Sequence, residues 1–269
     1  MENQNSPYQA PESELSEQAP AADGFHYVGP QNRPTSAGMH WISSGFAIFK
    51  QDAGMWVITM FVGLFVALAI NFVPVLGTLV SSLINFVWAG GLMLGCQAAY
   101  EKRGFELKHL FAGFTHNVLQ LILLSFVTSL IGMVLMFTVV GSTYLEILSG
   151  SEMSMAPEES IELMLSVLVA LALMLPLFMA VWFAPALIVL QNMPFYLAMK
   201  ESFLGCFKNV LPFLIYGVVT LVLYILGAIP LFLGLLIVVP LIFTSMYTGY
   251  RDIFLAEVEK PADQAVFQD

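Results

Sequence analysis

The charged positions along this chain are spaced far apart. No Asp, Glu, Lys or Arg falls between Asp52 and Glu101, a run of 48 residues. Further uncharged runs of 37, 37 and 42 residues separate Lys108 from Glu146, Glu162 from Lys200, and Lys208 from Arg251. A helix that crosses the bilayer takes about 20 apolar residues. The 48- and 42-residue runs therefore each accommodate two helices and a turn, and the 37-residue runs one long helix with polar flanks. This spacing predicts six spans, over residues 54–72, 78–99, 118–140, 161–190, 210–229 and 231–250. Pro74 and Gly77 interrupt the first pair, and Gly227 and Pro230 the third. The runs are continuously apolar rather than alternating, which excludes a membrane β-barrel. Helices are required because an unpaired backbone group in lipid costs several kcal/mol, and a helix pairs its own.

Between the long runs lie shorter segments of a different pattern. Met39, Ile42, Phe46 and Phe49 recur at helical spacing, as do Leu107, Leu110, Phe111 and Phe114, and again Phe195, Met199, Phe203 and Phe207. Each set forms one stripe of a short helix suited to lie in the headgroup layer. The long segments also echo one another. Residues 88–97 align without a gap on 182–191, and 110–119 align on 202–211 with an offset of one. The fold expected is an all-α membrane protein with six transmembrane helices as three hairpins, each preceded by a short amphipathic interfacial helix. The unit runs in the same direction each time, which makes it a parallel repeat rather than an inverted one.

Composition agrees with this. Only 28 of 269 residues are charged (9 basic, 19 acidic), 10% where a soluble domain carries about 25%. Mean hydropathy is +0.82. These values exclude a soluble globular enzyme, a disordered protein and, with a net charge of -10, a nucleic-acid binder. All nine basic residues fall on one side of the predicted topology, whereas the loop 142–160 carries only acidic ones, Glu146, Glu152, Glu158 and Glu159. The positive-inside rule then puts both termini in the cytoplasm. Residues 1–37 read as a disordered acidic cytoplasmic tail, without the basic start and apolar core of a signal peptide. Residues 38–254 read as the transmembrane domain, and 255–269 as a second cytoplasmic tail. Cys96 and Cys206 read as packing residues, with no disulfide or zinc spacing.

Candidate chemistry is sparse. No ionisable residue sits mid-membrane, Glu162 lying at the outer edge of the fourth span, so the usual marker of proton or ion coupling is missing. Ser81, Ser82, Ser125 and Ser129 have no base within reach in the sequence, and His109 and His116 lack further metal ligands. No catalytic, cofactor or metal residue is expected, and the chain reads as a non-enzyme. The intramembrane polar and hinge positions that remain are Asn85, Gln97, Gln120, Pro185, Gln191 and Pro240. An amide in lipid needs a partner, so these amides either bond between helices or line a polar passage. The prolines either shape their helices or expose carbonyls. Asn117 and Asn209 are expected to cap the third and fifth spans. Gly91 and Gly95 form a small-residue face suited to close packing.

The stretches His109-Leu110-Phe111-Ala112-Gly113-Phe114 and Tyr250-Arg251-Asp252-Ile253-Phe254 resemble those of an uncharacterised bacterial family of six-helix inner-membrane proteins. Residues 202–209, with Phe183-Ala184-Pro185-Ala186 before them, are also similar to YciC-type inner-membrane proteins and to the membrane domain of some glycerophosphodiester phosphodiesterases. The resemblance implies a bacterial inner membrane and six helices, and it implies no reaction. Two roles fit. The first is a non-enzymatic envelope-maintenance, scaffold or regulatory protein. The second is a facilitator or exporter of a lipid-like or apolar small solute. The partners expected are the lipid bilayer and another inner-membrane protein or a second copy of the chain, with no nucleic acid.

Overall fold

A computed structural model describes residues 24–141 and 157–257. Within them lie nine α-helices, one 3-10 helix and two short strands. In chain order these are β1 (Phe25–Tyr27), α1 (Ala37–Phe49), α2 (Ala53–Asn71), α3 (Leu76–Tyr100), the 3-10 helix (Leu107–Phe114), α4 (Val118–Val140), α5 (Pro157–Trp182), α6 (Ala184–Gln191), α7 (Phe195–Lys208), α8 (Val210–Ala228), α9 (Leu235–Phe254) and β2 (Leu255–Glu257). Five helical stretches are long and apolar enough to cross a membrane: Ala53–Asn71, Leu76–Tyr100, Val118–Val139, Leu163–Gln191 and Val210–Ala228. Their outward faces are apolar, with Phe65 66% and Leu68 59% exposed on α2. Comparable rows of exposed large apolar side chains run along α4, α5 and α8. A surface of this kind is stable against acyl chains and not against water.

The stretch expected as a sixth span behaves differently. Leu231 and Phe232 adopt φ of 52° and 64°, so the turn after α8 extends four residues further and α9 begins only at Leu235. Its second half carries Thr244, Ser245, Thr248, Arg251 and Asp252, which dilutes its apolar character. Most residues of that half are buried, and α9 packs on α1, α2, α3 and α8. The loop 142–156 lies outside the described residues, and α5 starts at Pro157, four residues before the expected span.

The short amphipathic segments are helical, and each packs on a long helix: α1 on α9, the 3-10 helix on α3, and α7 on α5. Glycine permits these contacts. A Cβ on Gly45 would lie 2.5 Å from the Ser245 nitrogen of α9, and one on Gly91 would lie 2.5 Å from the His109 carbonyl oxygen of the 3-10 helix. The small face of Gly91 and Gly95 is thus spent inside the bundle. The buried face of α7 is its small side, Ala198, Ser202, Gly205 and Cys206, while Phe207 of the expected stripe is exposed. On α1, Ile42 and Phe49 are buried, and Met39 and Phe46 face outward.

Three polar residues stand just before long helices. They do not cap those helices, contrary to the expectation for Asn117 and Asn209. Each reaches instead to the chain entering the next short helix. The Asp52 Oδ2 accepts from the Phe105 N–H at 2.8 Å. The Asn117 Nδ2 donates to the Ile188 carbonyl and to the Asn192 Oδ1, each at 2.9 Å. The Asn209 Oδ1 accepts from the Arg33 N–H at 2.7 Å, and its Nδ2 donates to the Gln31 carbonyl at 2.8 Å. Asn117 itself sits at φ 52°, a left-handed conformation that points its side chain away from its own helix end.

Part of the segment expected as a disordered tail is folded. Residues 25–27 pair antiparallel with 255–257 in the register Phe25↔Glu257, His26↔Ala256 and Tyr27↔Leu255. The Tyr27 hydroxyl donates to Glu201 at 3.0 Å. Burial, and then the adjacent Glu201 carboxylate, push the Tyr27 phenol well above its ordinary range. The strand pair lies at the same end as α1, the 3-10 helix and α7. All eight basic residues among the described ones also gather at that end.

Candidate functional site

A cleft of about 660 Å3 opens where α3, α4 and α5 meet. Its polar wall follows from sequence spacing. Thr78, Ser81, Ser82 and Asn85 fall within two turns on one face of α3, and Ser125, Thr128 and Ser129 do the same on α4. The facing wall is soft and apolar, built from Met133 and Met136 of α4 and Met174 and Phe178 of α5. Gly132 sits between the walls and leaves room for the Met174 methyl group, 3.2 Å from where a Cβ would stand.

Several of these polar groups are already engaged. Ser82 donates to the Leu79 carbonyl at 2.8 Å, Ser125 to the Leu121 carbonyl at 3.1 Å, and Thr128 to the Ser125 carbonyl at 3.1 Å. The Asn71 amide donates to the Ser81 Oγ at 2.9 Å and joins α2 to this wall. Among the described residues, the side chains of Thr78, Asn85 and Ser129 form no hydrogen bond. The cleft therefore offers one amide and two hydroxyls to an incoming group, beside thioether sulfurs that adapt to irregular shapes. Among the described residues no charged side chain lines it, so an ion beside them would lose hydration without a compensating charge. Among the described residues its lining contains no His, Cys, Asp, Glu, Lys or Arg.

Of the six intramembrane positions singled out from the sequence, the structure places only Asn85 in this cleft. The Gln120 Oε1 accepts from the Phe195 N–H at 2.9 Å, satisfying the first turn of α7. The Gln191 Nε2 donates to the Tyr250 hydroxyl at 2.6 Å, tying α6 to α9. Gln97 is half-buried near the charged end of α3, Pro240 is buried within α9, and Pro185 is buried in the first turn of α6.

Pro185 marks a break. Residues 88–97 run through an unbroken α3, but the similar residues 182–191 cross an interruption at Phe183 between α5 and α6. Pro185 stands where α3 has Gly91, and it lacks the N–H that would continue the helix. Ser202 of α7 fills the gap. Its Oγ accepts from the Phe183 N–H at 2.9 Å and donates to the Met179 carbonyl at 2.7 Å, occupying the missing rung of the helix. The sequence reading did not single out Ser202. Its signal was a lone hydroxyl on the otherwise small, apolar face of α7.

The polar face of the cleft was legible in outline, because its serines recur at helical spacing. In sequence they have no base within reach, and only the packing of α3 beside α4 makes them one wall. The histidines are local. His109 accepts from the Glu106 N–H at 3.0 Å through Nδ1, closing the first turn of the 3-10 helix. Burial first, and then Lys108, hold the His109 imidazole below its ordinary range, while a hydrogen bond from Lys108 holds Glu106 below the usual carboxylate range.

The chain is 26% identical over 244 residues to a protein of Burkholderia thailandensis named as a probable inner membrane protein, covering 81% of this chain and 90% of that one. No family model matches the sequence. No solved structure matches it.

Proposed function

We propose that this chain is a non-enzymatic integral inner-membrane protein of six spans with cytoplasmic termini, whose α3–α4–α5 cleft binds and passes a neutral, lipid-like solute. The observation that carries this reading is the uncharged cleft with the unbonded Asn85 amide on one wall and methionines on the other. A weakly polar group would bond to the amide while its apolar body lay against the thioethers. Of the two roles open from sequence, the geometry favours the facilitator over the scaffold.

Six spans require α9 to cross as well. Its length of 20 residues suffices, and its polar half is sheltered by α1, α2, α3 and α8 rather than facing lipid. The name of the Burkholderia relative supports the inner membrane. The three ties of Asp52, Asn117 and Asn209 support reading the chain as three units, each a short helix and a hairpin, closed into a ring. Likeness to YciC-type proteins stays within this reading.

The test uses the full chain in liposomes with fluorescently labelled diacylglycerol as a neutral probe, followed by quenching of the outer leaflet. Exchange should saturate with probe, and Asn85→Leu should slow it about tenfold, the loss of roughly one well-placed hydrogen bond. Exchange no faster than in protein-free liposomes, or unchanged in Asn85→Leu, overturns the reading.

A further inference from the structure

The α3–α4–α5 cleft has a floor. Its lining stops at Phe86 on α3, Ser125 on α4 and Val181 on α5. Next toward the charged end come Val87, Leu121 and Leu124, each 0% exposed. A Cβ on Gly90 would lie 2.9 Å from the Val189 Cγ1 of α6 and 3.0 Å from the Leu121 Cδ1, so α3, α4 and α6 meet there closely. The cleft is thus closed toward the basic end. Asn85 lies about 14 Å along the helix axis from Leu76, the first residue of α3. A group bonded to Asn85 is therefore held near the middle of a hydrocarbon layer about 30 Å thick, where an ionic head is too costly to keep.

The direction of the hydrogen bonds in the polar wall decides which neutral group fits. A hydroxyl has one proton and two lone pairs. Ser82 gives its proton to the Leu79 carbonyl at 2.8 Å, and Thr128 gives its own to the Ser125 carbonyl at 3.1 Å. Toward the cleft these two oxygens only accept. Thr78 and Ser129 are exposed and keep their protons, so they serve donor and acceptor alike and do not discriminate. Asn85 supplies N–H donors beside the acceptors. It lies one turn from Ser82 on the same face of α3. α3 runs toward the charged end and α4 away from it, with Gly90 against Leu121. Equal steps from that contact bring Asn85 level with Ser125 and Phe126, and Ser82 level with Thr128 and Ser129.

An ester, ketone or ether has no proton to give and uses the amide alone. A hydroxyl accepts from the Asn85 N–H and donates to Ser82 or Thr128. One amide cannot serve both halves of the same hydroxyl, so the acceptor-only oxygens complete the match. A site that bonds both halves of a hydroxyl rejects the analogue that lacks the proton. We propose that the cleft binds a lipid alcohol, its hydroxyl held between Asn85 and the Ser82 and Thr128 oxygens and its chains against the methionines. This rests on the reading of the cleft as a site for a neutral, lipid-like solute, and it names the class within that reading.

The experiment uses the purified full chain in phosphatidylcholine nanodiscs loaded with dioleoylglycerol or with its methyl ether, and bound copies are counted by native mass spectrometry. The ether keeps the oxygen and loses the proton, and its added methyl is small for a cleft of about 660 Å3. The alcohol should bind about tenfold more tightly, the scale of one hydrogen bond. Ser82→Ala with Thr128→Val should weaken the alcohol alone and bring the two ligands nearly level, and Asn85→Leu should weaken both. A wild-type chain that binds the ether equally or better overturns the proposal, as does one that binds neither ligand, or a ratio unmoved in the double variant. The readout is binding rather than passage. A preference for the alcohol without exchange in liposomes keeps this inference and removes passage, and exchange without that preference does the reverse.

Discussion

Ser202 shows how one hydroxyl settles the course of a helix. Pro185 prevents α5 from continuing smoothly, and Ser202 supplies both an acceptor and a donor at the interruption. Ser202→Ala leaves the Phe183 N–H and the Met179 carbonyl facing each other without a bridge in a buried setting. The expected loss is about 1–3 kcal/mol of stability, seen as an earlier thermal unfolding in detergent. An unchanged midpoint would mean that the two backbone groups close directly into a continuous helix. His109 gives a pH signature. Its Nδ1 accepts from the Glu106 N–H only while the ring is neutral. The folded state holds its pKa below the ordinary 6.5, so the folded chain binds the proton less well than the unfolded one. The stabilisation is complete above 6.5 and is lost as pH falls through the depressed folded value. Hydrogen-exchange protection of the 3-10 helix should drop over that window in the wild type and show no such drop in His109→Ala.

At the scale of elements, the short helices hold the long ones in register through backbone contacts that only glycine allows, and through the three polar ties. Asn209 is the most constrained of these. It is fully buried and bonds to Arg33, Gln31 and Gly205. Asn209→Ala should cost about 1–3 kcal/mol for each buried backbone group left unpaired. The loss should be local, with residues 28–36 becoming protease-sensitive before the bundle unfolds. Asn209→Asp keeps the acceptor for the Arg33 N–H and loses the donor to Gln31, so it should fall between the two. Helix content within the long apolar runs was plain from charge spacing. The detail of their ends was not. The late start of α9 depends on two residues in left-handed conformations, and the Phe183 break depends on a hydroxyl from another helix.

For the whole molecule, the arrangement of charge predicts topology. The basic end should face the cytoplasm and the 142–156 segment the opposite side. Cysteine labelling can test this against a quiet background. Cys96 is 0% exposed and Cys206 4% exposed, and burial pushes the Cys206 thiol up to about 12, which leaves little reactive thiolate. Ser151→Cys should react with a membrane-impermeant maleimide in intact cells, whereas Gln51→Cys should react only after the membrane is opened. Labelling of both from the same side would overturn the assignment.

The sequence alone determined that the chain is helical and suited to a membrane, because long uncharged runs leave the backbone no other way to satisfy its hydrogen bonds in lipid. It also determined that ionic groups stay at the ends of the long runs, since a charge within a span is too costly to keep, and that the basic ones all fall on one side of the predicted topology. Only the tertiary structure decided which polar residues bond to the fold and which stay available. Gln120, Gln191 and Asn85 look alike as amides in apolar runs, yet the first two meet a partner from a distant segment and the third opens into a cleft. That difference depends on which helices become neighbours, and neighbours are chosen by packing across the bundle rather than by local spacing.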